Sequence, residues 1–168
     1  MGEIGLKQTE YKVLGIDPGL ADTGYAIISK IQGQLVLREG GLIRTDSKDP
    51  LNQRLKEIYV ELNAVINGQL PAIVAIEDLY SDYHNPSTAI LMGHARGVCL
   101  LAAANYGLTV KSYTPARVKK SLTGNGRASK EQVKAMVRIN LGLDQRSISE
   151  HVADAIAVAL CHFRSSMY

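Results

Sequence analysis

The sequence has little of what secreted and membrane proteins need. Only two of its 168 residues are cysteines, Cys99 and Cys161, and both fall in apolar helical patterns, which excludes a disulfide framework and favours a reducing cytoplasm. The longest apolar runs, Val98–Ala104 and Ala155–Cys161, have seven residues each, too few to span a membrane. Residues 1–11 lack the apolar core of a signal peptide. We therefore expect a cytoplasmic protein with no membrane partner.

Tryptophan is absent and phenylalanine occurs once, yet the chain has enough apolar residues to build a core. The sequence is 46% hydrophobic and 21% charged, a balance that excludes intrinsic disorder and suits one globular domain. No internal repeat, low-complexity segment or Pro/Gly-rich linker divides it. We expect a single domain.

Positive charge is concentrated in one segment. Between Lys111 and Arg138 there are eight basic residues and one acidic residue, a net charge of +7, whereas the other 140 residues carry −4. One face of the protein is therefore expected to be positive. Such a segment is typical of a phosphate-binding surface and also of a solvated helical face, and charge alone does not decide between them.

The hydrophobic pattern predicts an α/β domain built on a mixed sheet. Three strands joined by tight turns precede a helix, a strand, a helix, a strand and three further helices. The predicted strands are Lys12–Asp17, Thr23–Ile31, Leu35–Ile43, Ala72–Glu77 and Leu108–Tyr113. The predicted helices are Pro50–Gln69, Ser87–Asn105, a short helix opened by Thr114 and Pro115, Ser129–Leu141 and Ser149–Phe163. An antiparallel meander extended by parallel crossovers gives a mixed sheet with helices on its faces.

Acidic residues stand at the ends of two predicted strands. Asp17 ends the first strand and Glu77 ends the fourth. Ligands of open α/β sheets gather beyond the carboxyl ends of the strands, and a βαβ crossover permits these two strands to be neighbours. The final helix adds His151 and Asp154 three residues apart. Because Glu150 lies four residues before Asp154, spacing leaves both Glu150 and His151 open as the further site residue.

Carboxylates gathered in one place repel each other, and a divalent cation removes that repulsion. Oxygen-rich sites favour Mg²⁺ or Mn²⁺, and two such ions about 4 Å apart can support the hydrolysis of a phosphodiester. The same residues would also serve as a turn former, a solvated loop start and a helix cap. A glycine-rich turn such as Asp17-Pro18-Gly19 also holds phosphate in actin-like ATPases and sugar kinases, but 168 residues leave little room for their second lobe.

Taken in order, these segments resemble the RuvC family of Holliday junction resolvases. The matching stretches are Leu14–Gly19 (LGIDPG), Thr23–Tyr25 (TGY), Ala75–Tyr80 (AIEDLY), Gly93–Val98 (GHARGV), Tyr113–Val133 and Glu150–His162. The resemblance leaves residues 1–11 as an N-terminal extension and residues 12–168 as one nuclease domain. It implies a ribonuclease-H-like α/β fold, in which three antiparallel strands are extended by parallel strands and helices cover both faces.

The resemblance also implies an activity and its site. The expected enzyme is a homodimer that makes paired nicks in four-way DNA junctions during recombination and repair, leaving 5′-phosphate and 3′-hydroxyl ends. It would use two Mg²⁺ ions per active site, which Mn²⁺ can replace, and work with the branch-migration complex RuvA–RuvB. By position, the catalytic and metal-binding residues are Asp17, Glu77, Asp154 and His151, where other members have aspartate or histidine in the place of His151. This favours His151 over Glu150.

The resemblance places the DNA contacts on the basic segment and on one loop aromatic. Lys119 and Lys130 match family positions that support DNA binding and catalysis, and Tyr80 matches an aromatic residue that contacts bases at the opened junction centre. The expected DNA-binding residues are Tyr80, Arg117, Lys119, Lys120, Arg127 and Lys130. The small-residue-rich helix Ser87–Asn105 is the candidate dimer interface, although packing on the sheet would explain its composition equally well.

Two other functions fit parts of the pattern. A ribonuclease-H-like nuclease that processes ribosomal RNA precursors would prefer RNA, but that family lacks the long match over Tyr113–Val133. A non-catalytic junction-binding module would keep the basic surface without needing the complete acidic set. Mg²⁺-dependent scission of a DNA junction separates the resolvase from both.

Overall fold

The computed structural model describes residues 10–79, 86–144 and 148–165. Within them the strands are β1 (Tyr11–Asp17), β2 (Asp22–Ile31), β3 (Gln34–Arg44), β4 (Ile73–Glu77) and β5 (Thr109–Tyr113). The helices are α1 (Leu51–Gln69), α2 (Pro86–Asn105), α3 (Pro115–Thr123), α4 (Lys130–Leu141) and α5 (Glu150–Ser165). The element order follows the sequence prediction, with ends shifted by one or two residues.

The sheet is mixed, with the strand order β3-β2-β1-β4-β5 over the described part of the chain. The β1–β2 and β2–β3 pairs are antiparallel, while the β1–β4 and β4–β5 pairs are parallel. The predicted α/β sheet is therefore confirmed. Because Ile16 of β1 pairs with Ile76 of β4, the next residues, Asp17 and Glu77, lie side by side at the carboxyl ends of neighbouring strands.

Successive side chains along each strand point to opposite faces of the sheet, so the hydrophobic core has one layer on each face. Leu14 and Ile16 pack with buried residues of α1 and α2. Val13 and Ala75 pack on the opposite face, with buried residues of α3, α4 and α5. Full burial of a large aliphatic side chain contributes roughly 1.5–3 kcal/mol to folding, so both layers are strongly held.

The helices of the basic segment have the N-terminal caps that the sequence predicts. The Thr114 side chain accepts a hydrogen bond from the Arg117 backbone N–H at 3.3 Å, with Pro115 in the first turn of α3. Ser129 and Gln132 form a reciprocal capping box at the start of α4. These caps fix where α3 and α4 begin, and therefore where the basic side chains lie.

Helix α5 lies unusually close to β1 and β2 because two glycines face it. A Cβ atom added at Gly24 would lie 2.1 Å from the carbonyl oxygen of His151. One added at Gly15 would lie 2.1 Å from the carbonyl oxygen of Ala155, one turn further along α5. Gly24 is also the partner of Asp17 in the β1–β2 ladder. The two glycines therefore bring the first turn of α5 against the strand end that carries Asp17.

Candidate active site

A cavity of about 270 Å³ opens at the carboxyl ends of β1 and β4. Its polar lining consists of Asp17, Glu77, His151, Asp154, Lys119 and Lys130. Its apolar lining consists of Pro115, Val118, Val133, Ala157 and Val158. Three carboxylates, one imidazole and two ammonium groups thus share one partly apolar cleft.

The fold explains how these acidic residues meet. Asp17 and Glu77 are the last residues of adjacent parallel strands. His151 lies in the first turn of α5 and Asp154 lies three residues later on the same side of the helix. The structure therefore brings together the four residues that the sequence analysis selects.

His151 faces the cavity, whereas the neighbouring Glu150 does not. His151 Nδ1 is 2.8 Å from Asp17 Oδ2, a hydrogen-bonding distance, and the imidazole lines the cavity. Glu150 instead accepts a hydrogen bond from the ammonium group of Lys130 on the exposed side of the helix. The alternative left open by spacing is thus resolved in favour of His151 as the cavity residue.

Burial raises the pKa of each carboxyl group in the cavity. The pKa of Glu77 rises to about 8, first because the group is desolvated and then because the charges of Asp17 and Asp154 oppose its ionisation. Desolvation also raises the pKa of Asp17, although its hydrogen bond to His151 acts in the opposite direction. Desolvation followed by the charge of Asp17 raises the pKa of Asp154. The cluster holds protons more strongly than isolated carboxyl groups do.

The predicted DNA-binding residues fall into two groups. Lys119 and Lys130 line the cavity. Arg117 points elsewhere, with its guanidinium carbon 5.1 Å from the ring centroid of Tyr113. Lys120 and Arg127 are exposed and do not contribute to the cavity lining. Tyr80 lies outside the described residues.

The donor set suits a hard divalent cation. Carboxylate oxygens are the ligands that Mg²⁺ and Mn²⁺ prefer, and a cation would offset the repulsion from Asp17 and Asp154 that adds to burial in raising the pKa of Glu77. If His151 donates its Nδ1–H to Asp17, its Nε2 atom is left as the ligating nitrogen. Across residues 10–79, 86–144 and 148–165, however, no three acidic, histidine or cysteine side chains converge as a ready-made ion cage.

One residue beside the site was not selected from the sequence. Arg96 of α2 contacts the end of β4 through Glu77 and Asp78, and β5 through Ser112. The available signal was an arginine within a helix otherwise rich in small and apolar residues. The acceptors lie 16 to 19 residues away along the chain, so sequence spacing does not identify them.

Known proteins with similar sequences share one description. Residues 13–162 match the family model of crossover junction endodeoxyribonuclease RuvC. The chain is 50% identical over 149 residues to the Rhodopirellula baltica protein of that name, covering 89% of this chain and 84% of the relative. It is 46% identical over 156 residues to that of Caldicellulosiruptor saccharolyticus, covering 92% and 93% of the two chains.

The fold is also similar to solved structures of Holliday junction resolvases. The fold matches Thermus thermophilus RuvC in complex with a Holliday junction substrate, with a TM-score of 0.87, 34% identity, and coverage of 93% of this chain and 94% of that one. The yeast mitochondrial Holliday junction resolvase, at 12% identity and a TM-score of 0.67, shares the fold over 92% of this chain and 78% of its own. The expected ribonuclease-H-like fold is thus confirmed, and the chain belongs to the RuvC family of crossover junction endodeoxyribonucleases.

Proposed function

We propose that this chain is a Holliday junction resolvase, an endodeoxyribonuclease that makes paired nicks in four-way DNA junctions during recombination and repair. The observation that carries this proposal is the cavity in which Asp17, Glu77, His151 and Asp154 face two lysines. It occurs in a chain whose relatives are crossover junction endodeoxyribonucleases, one of them solved with a Holliday junction substrate. Metal-assisted hydrolysis of a phosphodiester uses anionic side chains to hold the ions and cationic side chains to bind the phosphate.

The acidic residues and His151 are the metal ligands of this mechanism. Asp17, Glu77 and Asp154 supply carboxylate oxygens, and His151 supplies an imidazole nitrogen while orienting Asp17. When bound, two Mg²⁺ ions, or Mn²⁺ in their place, supply the Lewis acidity that activates a water and offsets charge on the leaving oxygen. Because the pKa of Glu77 is about 8, that carboxyl group must release a proton before it can act as an anionic ligand near neutral pH.

The two lysines bind the phosphate that is cleaved and its neighbours. Lys119 of α3 and Lys130 of α4 approach the cavity from the same side of the sheet as α5. The hydrogen bond that Lys130 donates to Glu150 raises the pKa of Lys130, so this side chain stays positive at physiological pH. A DNA phosphate and Glu150 compete for the same ammonium group.

Water is the nucleophile in this mechanism. The residues that line the described cavity include no serine, threonine, cysteine or tyrosine that would form a covalent intermediate. Direct hydrolysis with loss of the 3′-oxygen leaves 5′-phosphate and 3′-hydroxyl ends, which a ligase can seal. The enzyme acts on cytoplasmic DNA, and the family resemblance makes the RuvA–RuvB complex its branch-migration partner.

Lys119→Ala is expected to lower the salt dependence of junction binding. Loss of one phosphate contact should reduce the slope of log Kd against log salt by about one unit, because fewer counterions are released. Fluorescence anisotropy in metal-free buffer between low and moderate salt measures the slope. Lys56→Ala is the matched control, since Lys56 is exposed on α1 across the sheet from the cavity. Equal slopes for Lys119→Ala and wild type would remove Lys119 from the phosphate contacts.

A homodimer places two such sites on the two opposed strands of a junction, and α2 is its interface. Ile90 and Leu101 are 60% and 54% exposed, and Gly97 lies between them with nothing within 4 Å of an added Cβ. With His94, these residues fall on one helical stripe. By length and composition α2 is also apolar enough to cross a membrane, but Arg96 within it is costly to bury in lipid. A second copy of the chain therefore suits this face better.

Leu101→Glu is expected to weaken the dimer by at least about tenfold, because a carboxylate would be desolvated in an apolar interface. Sedimentation velocity across a concentration series measures the change. The matched control is Ile139→Glu, at a residue 71% exposed on α4 that faces away from α2. Identical sedimentation of wild type and Leu101→Glu would contradict the interface. So would a monomeric wild type that binds lipid vesicles and loses that binding in Leu101→Glu.

The decisive experiment is cleavage of a mobile four-way junction with each strand labelled in turn, with and without Mg²⁺. Matched duplex DNA and an RNA–DNA hybrid are cleaved in parallel. Paired nicks at symmetric positions, only on the junction and only with metal, are the expected result. Cleavage of the hybrid alone would indicate an RNA-processing nuclease, and tight binding without scission in Mg²⁺ or Mn²⁺ would indicate a binding module.

A further inference from the structure

Arg96 links three elements behind the cavity. Its Nε atom donates to the backbone carbonyl of Glu77 at 3.3 Å. Its Nη2 atom lies 2.8 Å from Asp78 Oδ1 and 2.7 Å from Ser112 Oγ. The Arg96 side chain is only 19% exposed, and its bonds to Glu77 and Asp78 are partly buried, which makes them stronger than bonds on an open surface. One guanidinium thus connects α2, the end of β4 and β5.

These bonds act at the last residue of β4, Glu77, which is also the last β4 residue paired with β5. Glu77 is the last residue of β4, and the Asp78 N–H continues the pairing with β5 by donating to the Tyr113 carbonyl at 2.9 Å. Meanwhile the Glu77 carboxyl group is crowded by Asp17 and Asp154. Repulsion among these groups favours movement of Glu77 away from the cluster, and contacts on its backbone oppose that movement.

We propose that Arg96 is a positioning residue that holds Glu77 in register with Asp17 for divalent-ion binding. Arg96 is absent from the lining of the described cavity, so it acts on the backbone that carries Glu77 rather than on DNA or metal. This inference rests on the proposed function for its link to cleavage. A planar guanidinium suits the task, because its fixed fork reaches three acceptors at once and an ammonium group does not.

If Arg96 only stabilised the fold, its replacement would have different effects. Loss of a structural ion pair lowers the melting temperature without a specific effect on metal binding. Loss of a positioning residue loosens the end of β4 and weakens divalent-ion binding, as removal of groups that orient metal ligands does. Junction affinity in metal-free buffer should stay unchanged, because the phosphate-binding lysines lie on α3 and α4.

The test compares Arg96→Gln and Arg96→Lys with Arg54→Gln. Arg54 is a matched control, a half-buried arginine on α1 that donates to Thr45 at 2.8 Å, away from the cavity. Calorimetric titration with Mg²⁺ and hydrogen exchange of the Asp78 amide in metal-free buffer are the readouts that do not require activity. Mg²⁺ dependence of junction cleavage and junction Kd complete the set.

Arg96→Gln is expected to weaken Mg²⁺ binding and raise the Mg²⁺ concentration for half-maximal cleavage by about tenfold. Exchange of the Asp78 amide should accelerate by a similar factor, with junction Kd unchanged. Arg96→Lys should fall between wild type and Arg96→Gln, and Arg54→Gln should resemble wild type in every readout except the melting temperature.

Three results would overturn the inference. They are wild-type Mg²⁺ binding in Arg96→Gln, an equal loss in Arg54→Gln, and full recovery in Arg96→Lys, which would leave charge alone as the cause. If wild type cleaves no junction while Arg96→Gln still weakens Mg²⁺ binding and unprotects Asp78, the positioning role stands and the proposed function fails. The two are therefore tested separately.

Discussion

Asp17→Asn is expected to lower junction cleavage by about 10³-fold or more, while junction affinity in metal-free buffer stays within about twofold of wild type. Asp17 is the centre of the acidic cluster, since it hydrogen-bonds to His151 and its charge acts on both Glu77 and Asp154. An amide of the same size keeps a hydrogen bond to His151 but supplies no anionic oxygen. Single-turnover cleavage in saturating Mg²⁺ and anisotropy measurements give the two quantities.

The matched control is Asp49→Asn, at an exposed aspartate before α1 and outside the cavity. This variant should cleave and bind like wild type. If Asp17→Asn instead loses binding and cleavage together, Asp17 acts in DNA binding or folding rather than in metal ligation. Wild-type cleavage by Asp17→Asn would remove it from the active site altogether.

The same substitution should stabilise the metal-free fold at alkaline pH. The folded protein raises the carboxyl pKa values of the cluster, so its stability is greatest below the unfolded values and decreases as pH rises through the folded ones. Asn removes one of these charges and also lets the pKa of Glu77 fall from about 8 towards its usual range. We expect a gain of roughly 1–2 kcal/mol near pH 9 that shrinks under acidic conditions. Greater stability with less activity separates a ligand role from a folding defect.

The location of the acidic cluster was predictable because strand ends are marked in the sequence. Short apolar runs stop at Asp17 and at Glu77, and the parallel β1–β4 pair places those stops together. The choice between Glu150 and His151 was different. Both positions are compatible with helical spacing, so only the family resemblance favoured His151 in the sequence. In the structure, the close approach of α5 to Gly24 places His151 against Asp17.

The basic segment shows why charge predicts a surface more reliably than individual contacts. Arg117 and Lys119 are two residues apart on α3, so they point to different sides of the helix. Lys119 reaches the cavity, whereas Arg117 lies over the ring of Tyr113. The contacts of Arg96 were not predictable, although the residue falls within the matching stretch Gly93–Val98, because they depend on acceptors supplied by two distant strands.

Gly24→Ala is expected to destabilise the protein by about 3 kcal/mol and to lower its melting temperature by roughly 10 °C. The added methyl group would lie 2.1 Å from the backbone oxygen of His151, and a backbone atom cannot rotate away as a flexible side chain does. Relief requires α5 to move off the sheet at its first turn. Thermal unfolding followed by circular dichroism measures the loss.

Movement of α5 in Gly24→Ala should also disturb the active site, which a loss of stability alone would not do. His151 and Asp154 travel with the helix, whereas Asp17 and Glu77 stay with the sheet, so the cluster separates. Cleavage by Gly24→Ala should therefore fall at least about tenfold at temperatures well below its unfolding transition, because metal ligands must be held closely in place. Folded protein with wild-type cleavage would show that the site tolerates this displacement.

Gly68→Ala provides the contrasting glycine. Gly68 lies in α1 with nothing within 4 Å of an added Cβ, so alanine adds helix propensity there without a clash. This variant should be more stable than wild type by about 0.5–1 kcal/mol and fully active. A loss of stability in Gly24→Ala and a gain in Gly68→Ala would show that the effect does not come from replacing glycine as such. The close contact between α5 and β2 would then be what holds the two halves of the acidic cluster together.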